Sequence, residues 1–471
     1  MRNSLSLREG IIVIFGANVL NLVFSLLTNF LLPKFLSVDC YAEIKTFQLY
    51  VSYVGILHLG YEDGMYIKYG GHSIEDIQSK DLKSDFYTLL SFQFLATIFF
   101  LIFAIAKRDV VIIACALSIF PINVTCYYKL LFQASGEFKI YARITNVAAI
   151  ITFVVNMGLL LFRCFEEYIY FLGFYVTINF LVMFFCYIWS KKQSGIINEE
   201  KAPLFDGKIF LDNIKNGMFL MLGNFSSMIL TGMDRWFIKI LMDNTAFAMY
   251  SFAVSIEGLM NVAISPISTT LYNYFCLHSN ENELRSIKSK IILFATVIVS
   301  CAFPAKFILE TFLTIYMDAT SVMIYLFAAE VFYIIVKCFY VNLYKAQKKQ
   351  KTYFAKLSFV MAIGFFLNGV CYIFLHAKEA FAIGTLICGM IWLIISENDF
   401  KGIKSSNKEK LYIMGTVIGY ILIGTLFEAL VGFFIYIILV SVLGILFMKK
   451  ELLECFQIAK KIINKKEIIK F

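Results

Sequence analysis

The residues in this chain best placed to do chemistry are charged and amide side chains set inside long apolar runs. Asp234 and Arg235 stand side by side in GNFSSMILTGMDRWFIKIL. Arg keeps its charge and can grip phosphate oxygens through two parallel N–H bonds, a geometry Lys does not share. Neighbouring residues on a helix point about 100° apart, so the two cannot simply turn to one partner. The plainer reading of Arg235 is an interfacial anchor near the outer end of its helix. Glu330 and Lys337 are seven residues apart, hence about two turns apart on one helix face. They form either a structural pair bridged by a neighbour or part of a path for a coupling ion and substrate. Glu257, Asn261 and Ser265 recur at a spacing of four, and Lys45, Gln48, Ser52 and Gly55 share a face elsewhere. Lys45 has a rival reading, in which its ammonium snorkels to the outer interface.

Asn18, Asn21, Ser25, Thr28 and Asn29 form a polar stripe that is echoed, at an offset of 206, by Asn224, Ser227, Thr231, Asp234 and Arg235. Steps of three and four place each set along one side of a helix. Uncompensated polar groups are costly in hydrocarbon, so such a stripe faces a wet cavity or hydrogen-bonds to neighbouring helices. The recurrence favours the cavity, with the two stripes meeting across it.

Signatures of covalent chemistry are missing. There is no GxxxxGK[ST] phosphate loop, no HExxH and no GxSxG, and the chain has four His. Eleven Cys sit mostly within apolar segments without CxxC spacing, so they read as packing residues and not as disulfides or metal ligands. No cofactor or metal is implied. The net charge of +9 comes from short basic clusters between apolar runs, not from an aromatic-lined basic groove, which argues against nucleic acid. Asn224-Phe225-Ser226 matches a glycosylation sequon but lies within a helix.

The elements that position these residues follow from hydropathy. With 60% hydrophobic and 16% charged residues and a mean hydropathy of +0.77, the 471-residue chain is too apolar for a water-soluble domain. A helix needs about 20 apolar residues to cross a bilayer. Runs near 11–32, 44–61, 86–106, 110–132, 144–162, 168–189, 217–238, 247–271, 291–313, 319–343, 353–375, 380–396, 411–427 and 429–447 predict an all-α polytopic protein with fourteen transmembrane helices. Glu428 alone separates the last two, which leaves thirteen spans as the alternative. The first run is too long for a signal-peptide core. With both termini inside, Lys and Arg split 32 to 8 between inner and outer segments, as cytoplasmic loops require. The inner set includes Lys68, Lys83 and Lys288, and the outer set includes Lys306.

Tyr141 to Asn156 (YARITNVAAIITFVVN) matches Tyr353 to Asn368 (YFAKLSFVMAIGFFLN) at a constant offset of 212. Repeats separated by six spans keep the same sidedness, so they would be related by an axis along the membrane normal. The expected organisation is a six-helix lobe at 1–195, a cytoplasmic linker at 196–212, a second six-helix lobe at 213–400, and two more spans with a basic tail at 401–471.

Three segments carry a family resemblance: LGYEDGMYIKYGG (Leu59 to Gly71), Gly217 to Tyr250 with MDRWFI followed by AMYSFAVSI, and NLYKAQKKQKTYFAKLS (Asn342 to Ser358). In this order and spacing they resemble polysaccharide-export flippases of the multidrug/oligosaccharidyl-lipid/polysaccharide superfamily. The resemblance implies two six-helix lobes in a V around a central cavity, two further C-terminal helices, and alternating access. It makes Arg235 and Lys45 candidates to attract an anionic diphosphate. The expected function is translocation of an isoprenoid-diphosphate-linked oligosaccharide across a bacterial cytoplasmic membrane, without enzymatic chemistry. Asn18, Asn21, Lys45, Gln48, Asn224 and Arg235 would meet substrate, while Asp234, Glu257, Asn261, Glu330 and Lys337 would handle a coupling H+ or Na+. Its partners would be the lipid-linked sugar, membrane lipids, a polysaccharide polymerase and glycosyltransferases. The alternative is a drug or metabolite antiporter on the same scaffold.

Overall fold

The computed structural model describes residues 7–70, 72, 74, 77–162, 167–194, 202–277 and 280–463, with backbone alone at 7–20 and at some other helical positions. The described chain is built from helices: α1 (Leu7–Phe35), α2 (Val38–Ser52), α3 (Tyr61–Tyr69), α4 (Ser79–Lys107), α5 (Val110–Ala134), α6 (Phe138–Leu161), α7 (Tyr168–Ser194), α8 (Gly207–Leu241), α9 (Asn244–Glu257) and α10 (Asn261–Leu277). The series continues with α11 (Glu281–Ile298), α12 (Ala302–Phe312), α13 (Ala319–Ile335), α14 (Val341–Ala346), α15 (Gln350–Leu375), α16 (Glu379–Asp399), α17 (Asn407–Leu426), α18 (Ala429–Phe447) and α19 (Lys449–Ile463). Each of the fourteen apolar runs falls on one of these helices or on a pair joined by a single irregular turn. Among the described residues, eleven are long and apolar enough to cross a membrane by length and composition; the remaining three runs fall on α1, on α2–α3 and on α8. Glu428 does separate two helices, α17 and α18, which pack on each other.

The irregular turns interrupt spans at polar positions. A 3-10 turn at Val54–His58 divides α2 from α3, followed by left-handed Leu59 and Gly60. A π turn at Val336–Tyr340 joins α13 to α14. Helix starts use short polar caps: the Asp109 carboxylate accepts the Val111 and Ile112 N–H groups, and Ser406 with Glu409 forms a reciprocal capping box at α17.

The chain divides into two compact units, 1–228 and 229–471, with the boundary inside α8. In the first, α5 packs against α2, α3, α4, α6 and α7. A close backbone approach in this unit brings α3 onto the start of α8. A Cβ on Gly64 would lie 2.0 Å from the Asn213 carbonyl oxygen, and one on Gly217 would lie 2.0 Å from that of Gly60. Only residues without a side chain let backbones meet this closely.

In the second unit α13 is the hub, buried along nearly its whole length and packed by α9, α11, α16 and α17. The α17–α18 turn is tied to α12 by charge: Lys306 Nζ donates to the Gly424 and Phe427 carbonyls at 2.8 and 2.6 Å. The Glu310 carboxylate accepts the Ala429 N–H at 3.2 Å. Lys306 is therefore a buried helix-end cap and not an outer-loop charge. Lys83 and Lys288, read from the sequence as inner-loop charges, are likewise buried. Outward faces such as Phe434, Ile438 and Val442 on α18 are apolar and exposed, as expected of surfaces solvated by lipid.

Candidate functional site

The second unit gathers most of the charged candidates. Asp234, on α8, is 4% exposed. Its Oδ1 accepts the Arg235 backbone N–H at 2.8 Å and its Oδ2 accepts the Tyr250 hydroxyl of α9 at 2.6 Å. Asp234 is thus pinned, while Arg235, pointing elsewhere, is half-buried. Glu257, at the end of α9, lies against Glu330 and within electrostatic reach of Lys337. Glu330 is buried on α13, with its Oε1 3.6 Å from Lys337 Nζ. The pair needs no bridging neighbour, because the long Lys side chain reaches back two turns.

Lys337 belongs to the π turn, and its ammonium also lies 5.0 Å from the centre of the Tyr333 ring, within cation–π range. A π turn leaves the normal helical hydrogen-bond register. Here it is laced to α10: the Ser268 hydroxyl donates to the Lys337 carbonyl at 3.4 Å. The Asn342 amide donates to the Cys338 carbonyl at 2.9 Å and the Ser268 carbonyl at 2.8 Å. Asn261 is exposed at the start of α10, and among the described residues no hydrogen bond places it in this cluster. Asp234, Tyr250, Glu257, Glu330, Tyr333 and Lys337 therefore form one buried or half-buried ionisable neighbourhood, with Arg235 beside it. Such a group can hold, exchange or relay a positive charge.

The first unit holds the other candidates. Lys45 is buried. It donates to Gln48 Oε1 at 3.0 Å and lies 5.2 Å from the Tyr41 ring centre, so its ammonium is held against α2 beside Gln48; Ser52 ends α2 and Gly55 falls in the following 3-10 turn, off the helical register. Asn21 is half-buried on α1, and the side chain of Asn18 lies outside the described residues. Asn224 is exposed and donates to Asp63 Oδ1 at 3.5 Å. Asp63 also sits 3.7 Å from His58 Nε2.

Sequence reasoning missed a second acidic centre. Asp85 is fully buried at the start of the apolar part of α4. Lys68 Nζ meets its Oδ2 at 2.9 Å, and the Tyr69 hydroxyl donates to the same oxygen. Asn213 donates to Oδ1 at 3.0 Å, and the Tyr61 hydroxyl donates to the Asp85 carbonyl at 2.8 Å. Three of these donors come from LGYEDGMYIKYGG. That motif was visible in the sequence, but its acceptor, 16 residues or more away at the edge of an apolar run, carried no periodic signal. Lys288 is a similar case: 1% exposed, it donates to Glu409 at 3.3 Å and to the Ile403 carbonyl at 3.0 Å.

The arrangement of helices resembles that of several solved membrane-protein structures. A solved structure described as lipid II flippase MurJ in an inward closed conformation superposes with a TM-score of 0.69 at 15% identity, over 93% of this chain and 98% of the other. An inward-facing multidrug resistance MATE family transporter gives 0.59 at 11% identity, over 81% and 93%. A MATE protein in complex with MaD5 gives 0.50 at 13%, over 84% and 94%. No protein-family model matches the sequence, and no curated protein does. These likenesses establish an all-helical, multi-pass membrane fold.

Proposed function

We propose that this protein is a flippase for an isoprenoid-diphosphate-linked oligosaccharide, moving its headgroup from the cytoplasmic to the outer face of a bacterial cytoplasmic membrane during polysaccharide biosynthesis. The observation that carries this reading is a MurJ-like fold that buries ionisable groups along its helices, at Asp234 on α8, Glu330 on α13 and Lys45 on α2. Sugar hydroxyls stripped of water each cost several kcal/mol in hydrocarbon, so a polar route lowers the barrier without any covalent step. In this reading Arg235 and Lys45 attract the diphosphate, while Asn18, Asn21, Gln48 and Asn224 exchange hydrogen bonds with the sugar. Asp234, Glu257, Asn261, Glu330 and Lys337 respond to a coupling H+ or Na+. A membrane potential, negative inside, drives an anionic headgroup outward by about 2.3 kcal/mol per charge per 100 mV. Glycosyltransferases would supply the substrate and a polymerase would consume the product; both termini face the cytoplasm.

The test replaces Arg235 or Glu257 by Ala, confirms normal protein levels, and measures lipid-linked precursor on the inner face of the membrane. Accumulation is expected in both; unchanged export in both removes the assignment. The MATE-like superposition supports a second reading, a drug or metabolite antiporter. Transport of cationic dyes by the purified protein, with no effect on lipid-linked sugars, would select it.

A further inference from the structure

A second charged feature lies away from these residues, at the ends of the last spans. A cleft of about 490 Å3 opens among α11, α17, α18 and α19. Six cations line it, Arg285, Lys288, Lys404, Lys408, Lys449 and Lys450, against two carboxylates, Glu409 and Glu451. Three of the cations are committed to the protein. Lys288 is held by Glu409, Arg285 donates to the Gly402 carbonyl, and Lys404 donates to Asn398. Lys408, Lys449 and Lys450 are exposed. The cleft is positioned by contacts that fix its walls: the Ser406–Glu409 capping box starts α17, and Lys290 meets Glu454 of α19 at 2.9 Å. That ammonium holds the partly exposed Glu454 carboxyl below the usual range.

We infer that this cleft binds the phosphate headgroup of an anionic membrane lipid, on the side that the Lys and Arg excess assigns to the cytoplasm. Two observations point to a lipid and not to a soluble anion. The cleft is walled on one side by Leu446, Phe447 and Met448, the last turn of a transmembrane span. From there, exposed apolar stripes run away along α18 through Ile445, Val442, Ile438 and Phe434, and along α17 through Leu411, Met414, Ile418 and Leu422. A ligand with its phosphate among the lysines thus has a surface for its acyl chains beside it. Basic pockets between spans on the cytoplasmic side suit such headgroups. The inference uses none of the residues assigned to transport and stands apart from that reading.

The test places a reporter at the mouth of the cleft with Leu446→Trp in the full chain. The protein is reconstituted in phosphatidylcholine vesicles containing brominated phosphatidylglycerol or brominated phosphatidylcholine, and quenching is corrected for the native Trp residues using the parent protein. Anionic lipid should quench with an apparent association about tenfold above the zwitterionic one, as expected for a few exposed lysines partly screened by salt. The preference should fall close to onefold in Lys408→Gln/Lys449→Gln/Lys450→Gln. It should survive Lys348→Gln/Lys349→Gln/Lys351→Gln, which removes equal charge elsewhere. Equal quenching by both lipids overturns the inference, and so does a preference that persists in the first triple variant or disappears in the second. Loss of the preference on adding inorganic phosphate at constant ionic strength overturns it too, since the ligand would then be a soluble anion.

Discussion

The two units each bury a carboxylate beside a lysine, and they treat it in opposite ways. In the first, Asp85 has Lys68, Tyr69 and Asn213 on its carboxylate and Tyr61 on its carbonyl, next to a glycine-to-glycine backbone contact. In the second, Glu330 meets a Lys337 shared with an aromatic ring, in a π turn, beside a second carboxyl group, Glu257. A carboxylate saturated by fixed donors has a single favourable state and reads as a fastener. One that shares its counter-charge with a neighbouring acid can change state at modest cost, which is what coupling to an ion requires. Burial of charge alone therefore does not tell the two carboxylates apart; the number of fixed partners does.

The comparison can be broken in several ways. The largest effect should come from the fastener's backbone contact. Gly217→Ala places a methyl group where the Gly60 carbonyl sits, so the purified protein should lose most of its thermal stability or fail to accumulate. Asp85→Ala should follow, costing on the order of 2–4 kcal/mol in detergent unfolding because several donors lose their acceptor at once. If transport fell while melting stayed unchanged, the fastener reading would be wrong. Glu330→Gln should show the reverse pattern, with a stability change of about 1 kcal/mol or less and, on the proposed function, transport slowed at least about tenfold. Lys337→Met in the same background should add little further loss, which a double-mutant comparison of transport rates checks. Last, Arg235→Lys should keep the charge yet slow transport several-fold, through loss of bidentate phosphate geometry; wild-type rates would reduce Arg235 to an anchor.

Much of the fold was legible because lipid imposes one rule, that long apolar runs become helices. Even the doubtful pair around Glu428 resolved as two spans. Shared helix faces were legible where spacing within one helix decides them, as for Lys45 with Gln48 and Glu330 with Lys337. What periodicity cannot show is a partner on another helix. Tyr250 on Asp234, Asn213 on Asp85 and Glu409 on Lys288 all depend on tertiary packing. The same limit explains why Lys288 and Lys306 passed for loop charges: a lysine at a span end looks alike in sequence whether water or a carbonyl receives its protons. Asn156 and Asn368, equivalent in the 212-residue repeat, are both almost fully buried, so that faint echo did mark matching interior positions.

The link between α12 and the α17–α18 turn bears on how the chain is made. Lys306 and Glu310 emerge from the ribosome more than a hundred residues before Gly424, Phe427 and Ala429, the groups that satisfy them. In the folded chain the two side chains also pair with each other, Nζ to Oε1 at 3.7 Å, and until the final hairpin is made they lack the backbone partners it supplies. A chain terminated before residue 407 would keep that half-finished junction permanently, and quality-control proteases should clear it. The terminal hairpin thus supplies the groups that complete the polar junction at the end of α12.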